Sequence, residues 1–352
     1  MVPSQSSSMQ VPIQGPGGGM VPRFNGLFPG IQAGSHGGGQ LGTFGQGIPG
    51  GPLSLGSNHQ LLQQQQQTPL HQTNHGLQPS LQHAMSPHIQ NQSVITAIRE
   101  VWASNFEQEM HVIRELIERF NYISVESEFP GIVARPIGSF KTTTDYHYQT
   151  LRCNVDLLHV IQLGITFADA HGHRPEGLPS TWQFNFKYNL NEEMYQSEMI
   201  DLLTKSGVDF KRHEEFGIDP FAFAELFVTS GLVIDDSVTW ISYHSGYDFG
   251  YLVALMLNSS LPAEETEFVE LVKIFFPSLY DVKLMTKAAT GKPAKGTLQD
   301  LAEELRVPRV GPAHHAGSEA LLVNSCYFEL AKVIRSADVT DDSFHNQMWG
   351  LV

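Results

Sequence analysis

The chain has 352 residues and a formal net charge of −15, yet its first quarter, Met1 to Gln92, carries one charged residue, Arg23, amid Gly, Gln, Pro, Ser and His. Such a segment buries too little apolar surface to offset its chain entropy, so residues 1–92 read as a disordered Gln/Gly/Pro/Ser-rich region, and about 250 residues remain for one well-buried domain. The 21 Lys and Arg less Arg23 leave 20 basic against 36 acidic residues from Ser93 onward, a balance that makes a poor passive binder of nucleic acid and leaves metal ions or a local basic patch as the means of handling it.

In chain order, Val94, Ile98, Val101, Trp102, Phe106, Met110, Ile113, Ile117 and Phe120 recur at three and four, which predicts helix from Val94 to Phe120. Asn105 with Gln108 resembles a capping box that restarts a second helix there. Tyr122 to Val125 reads as a buried strand, running through Glu126 and Glu128 to Pro130 and Gly131. Gly131 to Asn154 is polar and turn-rich, and interleaves Arg135, Lys141, Tyr146, His147, Tyr148 and Arg152; it is either a solvated loop or a surface that guides a phosphate backbone. Val160–Phe167 and Thr181–Phe186 read as an antiparallel hairpin, and Met194 to Leu232 as helix broken by turns. Thr239–His244 is a further strand leading into a helix through Leu257. Glu265–Phe275 is a helix, and a short strand follows near Tyr280. After the basic stretch Lys292–Gly296, a helix from Leu298 to Leu305 precedes a last amphipathic helix with Leu322, Cys326, Leu330 and Val333 on one stripe. Together these predict an α/β fold, a mixed β-sheet flanked by α-helices. Cys153 and Cys326 suit reduced residues of an intracellular protein rather than a disulfide framework or a thiolate zinc site. No basic and apolar leader opens the chain and no run of about 18 apolar residues occurs, so a soluble, non-secreted protein away from membranes is expected.

Four acids stand out by position. Glu126 and Glu128 share one face of their strand because side chains alternate, and they repel each other unless a cation lies between them. Asp248 falls at a strand-to-helix junction, where open α/β sheets place their sites; it is either a helix cap or a ligand. Glu319 is either a first-turn acid behind an N-cap Ser318 or a ligand, and His314 or His315 lies a few residues before it. Convergent oxygen donors select magnesium or manganese over zinc.

Glu128 to Gly138, Thr181 to Phe186, His244 to Leu252, and Gly311-Pro312, His314 and Ala316-Gly317-Ser318, in that order and spacing, closely resemble the Caf/Pop poly(A) deadenylases, DEDD-group nuclease subunits of the Ccr-Not complex. The resemblance covers roughly Ser93 to Ala337. It implies a ribonuclease-H-like deadenylase domain over 93–340 with a C-terminal tail at 341–352. By this resemblance Glu126, Glu128, Asp248 and Glu319 hold two divalent ions, Mg2+ or Mn2+, and His314 acts on the attacking water. Poly(A) RNA, rather than DNA, is shortened 3'-to-5' with release of AMP, and Phe129, Lys295 and Leu298 are candidate substrate contacts. The implied partners are a large Not scaffold subunit and a second deadenylase, and the implied location is cytoplasmic, also nuclear. The family pattern has Asp where this chain has Glu126 and Glu319. That departure implies weakened activity or a manganese preference, and it motivates an alternative, a scaffold that joins the Not subunit to the second deadenylase without turnover.

Overall fold

A computed structural model describes residues 97–290, 296–336 and 344–351; the expected disordered region 1–92 and Lys295 lie outside them. Six strands form one sheet in the order β1-β4-β3-β2-β5-β6. They are β1 (Ile98–Val101), β2 (Tyr122–Glu128), β3 (Gln162–Ala168), β4 (Thr181–Asn185), β5 (Thr239–Ser242) and β6 (Ser278–Asp281). The pairs β2/β3 and β3/β4 are antiparallel, while β1/β4, β2/β5 and β5/β6 are parallel. The helices are α1 (Phe106–Leu116), α2 (Thr143–Leu157), α3 (Ser197–Ser206), α4 (Phe210–Phe216), α5 (Pro220–Val228), α6 (Gly246–Leu257), α7 (Glu265–Phe275), α8 (Val282–Thr290), α9 (Leu298–Glu304) and α10 (Ala316–Ser336). This is the expected mixed sheet flanked by helices. No described helix is long and apolar enough to cross a membrane.

The two sheet faces differ in kind. Ile123, Val125, Leu163, Ile165, Phe167, Trp182 and Phe184 point into the main apolar core, with α1, α2, α5, α6 and α7 supplying the rest. Register places Ser124, Glu126 and Glu128 opposite Thr166, Gly164 and Gln162, and these opposite Thr181, Gln183 and Asn185, so the central part of the other face is polar. Its groups are satisfied internally. Gln162 Nε2 donates to Asn185 Oδ1 (2.8 Å), Thr166 and Thr181 hydroxyls pair (2.9 Å), and Ser124 Oγ donates to the Ala320 carbonyl (2.8 Å). Over this face lies α10. Its first amides are capped from the sheet, Ala316 N–H on Gln162 Oε1 (3.3 Å) and Gly317 N–H on Gln183 Oε1 (3.0 Å).

Three expectations need correction. Ile98 to Val101 is a parallel edge strand, not helix, because it pairs with Thr181 to Phe184 of β4, and tertiary pairing overrides the local period. Asn105 does stand immediately before α1, but its side chain looks backward: Oδ1 accepts from Trp102 N–H (2.8 Å) and Nδ2 donates to the Glu100 carbonyl (3.1 Å), so there is no capping box. The segment 143–154 is not loop but most of α2, started by Thr142, whose hydroxyl accepts from Asp145 N–H (3.0 Å). Of the interleaved residues, Tyr148 is buried with its hydroxyl on the Pro262 carbonyl (2.6 Å) and Arg152 faces Asp156, while Arg135, Lys141 and His147 stay exposed. At the other end, residues 344–351 pack onto the domain through Phe344, Met348 and Leu351, with His345 bridging Tyr280 of β6.

The approach of α10 to the sheet depends on Gly164. A Cβ there would lie 1.9 Å from the Ala316 carbonyl oxygen and 2.2 Å from its carbon, both backbone atoms that cannot rotate away. Gly164→Ala is therefore expected to destabilise the domain by about 2–3 kcal/mol or more, as overpacking does. The check is a thermal melt, in which the variant's Tm falls by roughly 5–10 °C; an unchanged Tm would remove the close contact from the account.

Candidate metal and catalytic centre

Four segments deliver the candidate side chains to one end of the sheet. The C-terminal half of β2 carries Glu126 and Glu128 on the polar face, α6 begins just after β5 and presents Asp248 from its first turn, and α10 presents Glu319 from its own first turn. His314 sits in the turn before α10 with φ +60°, a left-handed conformation that reverses the chain into the helix.

Each acid has distinct partners. Glu126 is half-buried, and its Oε1 accepts from Tyr243 N–H (2.7 Å) and, more weakly, from Ser242 Oγ (3.5 Å). Asp248 is buried and fully engaged. Its Oδ1 accepts from Ser127 N–H (2.8 Å) and Ser127 Oγ (2.6 Å), its Oδ2 from Ser242 Oγ (2.7 Å). Glu319 faces Arg309 in a two-pronged pair, Nη1 to Oε1 at 2.8 Å and Nη2 to Oε2 at 3.1 Å, and Oε1 also accepts from His314 N–H (2.9 Å). Glu128 is buried, and it brings an oxygen within 4.8 Å of both a ring nitrogen of His314 and an oxygen of Glu319.

The carboxylates feel one another. Burial pushes Glu126 well above the usual carboxylate range, and the charges of Asp248, Glu319 and Asp281 raise it further while the Tyr243 amide opposes them. Glu128 is raised well above that range by burial, then by Glu319 and Asp248, with Arg309 pulling the other way. Asp248 is pushed up to about 7, chiefly by burial, against the hydrogen bonds from Ser127 and Ser242 that favour its ionised form. Burial holds His314 below the ordinary histidine value despite Glu319, so near neutrality its ring is uncharged.

The five residues singled out in the sequence therefore meet at one place. Phe129, next along from Glu128, is half-buried and stacks on Tyr247 (centroids 4.7 Å apart, 16° between planes), the residue before Asp248. Leu298 is buried at the start of α9 in the apolar cluster with Ile241, Val282 and Leu301; α9 is tied to β5 by Tyr243 Oη donating to the Gly296 carbonyl (3.0 Å). Sequence reasoning passed over Ser127, Ser242 and Arg309. For the serines the available signals were a hydroxyl between two strand glutamates and one at the end of a strand before a turn. For Arg309, brought to Glu319 from ten residues upstream, no spacing signal existed.

With this geometry in view, likeness to known proteins becomes informative. The profile of the CAF1 family ribonucleases matches residues 101–224 and 230–325. The poly(A) ribonuclease pop2 of Schizosaccharomyces pombe is 50% identical over 259 residues, 74% of this chain and 76% of that protein. A solved structure of S. pombe Pop2p in an Mg2+ and Mn2+ bound form superposes with a TM-score of 0.68 at 50% identity, covering 72% of this chain and all of that one. A chain in the structure of a yeast NOT1 MIF4G domain co-crystallised with CAF1 superposes with a TM-score of 0.62 at 36% identity, covering 72% of this chain and 96% of that one. With half of its residues shared with one member across three quarters of its length, and the family profile spanning both the β2 acids and the first turn of α10, the chain belongs to the CAF1 family of ribonucleases.

Proposed function

We propose that the protein is a metal-dependent 3'-to-5' exoribonuclease that shortens poly(A) and releases AMP, as a catalytic subunit of a Ccr-Not complex. One observation carries this reading: three carboxylates from β2 and α6 are held together against their own charge, beside a fourth from α10 and an uncharged imidazole. A buried set of like charges calls for cations, and Glu128, Glu319 and His314 already lie within ligand distance of one another. The donor set of carboxylate oxygens suits magnesium or manganese, and the Mg2+ and Mn2+ bound form of the 50%-identical S. pombe Pop2p supports the same choice.

Glu126, Glu128, Asp248 and Glu319 are the residues to hold two such ions, which when bound supply charge neutralisation at the phosphate and a water of lowered pKa. Ser127, Ser242 and the Tyr243 amide fix the carboxylates of Asp248 and Glu126 in place beforehand, so little ordering remains for substrate binding to complete. His314, uncharged near neutrality, accepts the proton of the attacking water on a ring nitrogen. The Phe129 and Tyr247 pair, adjacent in sequence to Glu128 and Asp248 and packed on the main core, supplies an aromatic surface for the terminal base, and Leu298 at the start of α9 is a further candidate contact. The co-crystallised NOT1 and CAF1 chains support a large Not scaffold as partner, and the acidic folded part suits an enzyme that relies on partners for RNA delivery. The second deadenylase and a cytoplasmic, also nuclear, location complete the reading.

Purified protein given 5'-labelled oligo(A) is expected to produce a ladder shortening from the 3' end in Mg2+ and in Mn2+. Glu128→Gln and Asp248→Asn are expected to slow it at least about a hundredfold, as misplaced catalytic groups do. If neither metal supports shortening, the scaffold reading remains.

Metal removal gives a second check with a definite sign. Asp248 holds a proton up to about pH 7 in the fold but releases it near pH 4 when unfolded, so without metal its contribution to stability falls as pH rises from about 4 to 7. In EDTA, the Tm of the wild type relative to Asp248→Asn should therefore drop between pH 5 and pH 8, and Mn2+ should restore it at pH 8. A difference independent of pH would contradict the assigned shift.

A further inference from the structure

Among the four acids, Glu319 differs in having a cation of the chain itself placed on it. The Arg309 fork takes both oxygens, at 2.8 and 3.1 Å, and both side chains are largely buried, with 17% and 15% exposed. A pair so enclosed is little screened by solvent, and planar two-pronged contact is the strongest arrangement available to arginine. The guanidinium is also held from behind: Nε donates to Gln299 Oε1 on α9 (2.9 Å) and Nη1 reaches Ser318 Oγ (3.3 Å). Arg309 is thus clamped by two neighbours in the position that neutralises Glu319. Glu126 and Asp248 are held instead by uncharged amides and hydroxyls.

Resting on the metal reading above, we infer that Arg309 is a resident counter-cation that competes with a divalent ion for Glu319, so that the centre fills in two unequal steps. Among the described residues, an ion bound through Glu126, Glu128 and Asp248 meets no two-pronged contact of this kind, although Arg309 also acts on Glu128 through its charge. An ion that draws on Glu319 must loosen a charged, buried, two-pronged contact first, and its apparent affinity is lowered by that amount. The same contact keeps the metal-free chain from leaving a bare carboxylate beside Glu128, which would be destabilising.

The test is a Mn2+ titration of the full chain, with free Mn2+ read by electron paramagnetic resonance, for the wild type, Arg309→Gln and Arg309→Lys. The wild type is expected to show a tight and a weak class of sites. In Arg309→Gln the weak class tightens about tenfold; in Arg309→Lys, whose ammonium cannot chelate both oxygens, it tightens by less. In EDTA the melting temperature of Arg309→Gln is lower than that of the wild type, and Mn2+ raises it by more. A weak class unchanged or loosened in the variants overturns the inference while leaving the metal reading intact, since it would make Arg309 an aid to Glu319 as a ligand. No Mn2+ binding by any of the three proteins overturns the metal reading and the inference together. Should Arg309→Gln lose its far-ultraviolet circular dichroism, the lysine variant decides by the same criterion.

Discussion

The contact between Gly164 and the backbone of Ala316 is the constraint on which the centre depends. Gly164 pairs directly with Glu126 across β2 and β3, and its missing side chain lets the start of α10 rest on the sheet. Any residue with a Cβ there would hold the helix off by a large part of its radius, and Glu319 and His314 would rise away from Glu128 with it. Gly317 makes the matching concession from the helix side, since a Cβ there would lie 2.9 Å from Ile98 Cγ2 and 3.1 Å from Gln183 Cβ. The glutamines of β3 and β4 then fix the helix along its axis by accepting its first two amide hydrogens. This also accounts for a polar sheet face buried beneath a helix, an arrangement that is unfavourable unless every group is paired. Glu100 from β1 completes the network through Gln183 and Asn185 (2.9 and 2.7 Å), so even the edge strand helps set the register of α10.

Division of labour between the sheet faces explains how the fold tolerates its own centre. Carboxylates forced above their ordinary range destabilise a metal-free protein at neutral pH. The opposite face offsets this with densely packed aromatic rings, Phe106, Phe184, Phe186, Phe223 and Phe227 joined through the contact of Phe227 with Trp240 to Phe249 and Phe276. Edge-to-face and stacked contacts of this kind add to area burial. Asp248 belongs to both regions: α6 packs Phe249, Leu252 and Val253 into the core, and its first turn carries the acid. A site mounted on so rigid an element loses little by being electrostatically strained.

What the sequence disclosed and what it withheld follow from the range of the interactions. The extents of α6 and α7 were legible because the apolar period is local, although neither helix has a side-chain cap, and the shared face of Glu126 and Glu128 followed from strand geometry alone. The stripe on α10 was legible through Leu322, Cys326 and Leu330, but its next buried member is Ile334, with Val333 half in solvent; steps of four outran the mixed step assumed. The edge strand β1 was hidden because its partner is about eighty residues away and its own four residues carry no alternation. The start of α2 had a local signal, Thr142 followed by Asp145, which the polar composition of the helix masked. In the centre, the four acids stood out by type and position and took their ligand roles from the family resemblance, whereas Arg309 left no signal. Ser127, Ser242 and the Tyr243 amide were not legible, because their contribution is a direction in space that only the meeting of β2, β5 and α6 creates.

The same distinction bears on the two longer acids, Glu126 and Glu319, where the family pattern has aspartate. An extra methylene adds a rotatable bond, and a free glutamate would spread its carboxylate over several positions. Neither is free here. Glu126 is anchored by the Tyr243 amide at 2.7 Å, and Glu319 by Arg309 and the His314 amide. Side-chain length therefore does not by itself decide whether the centre is ordered; the donors that meet the far end do. For Glu126 that donor is an uncharged amide, which leaves its second oxygen to other partners. For Glu319 it is a charged fork occupying both oxygens, so of the two departures the one on α10 bears more directly on how metal and chain share the same carboxylate.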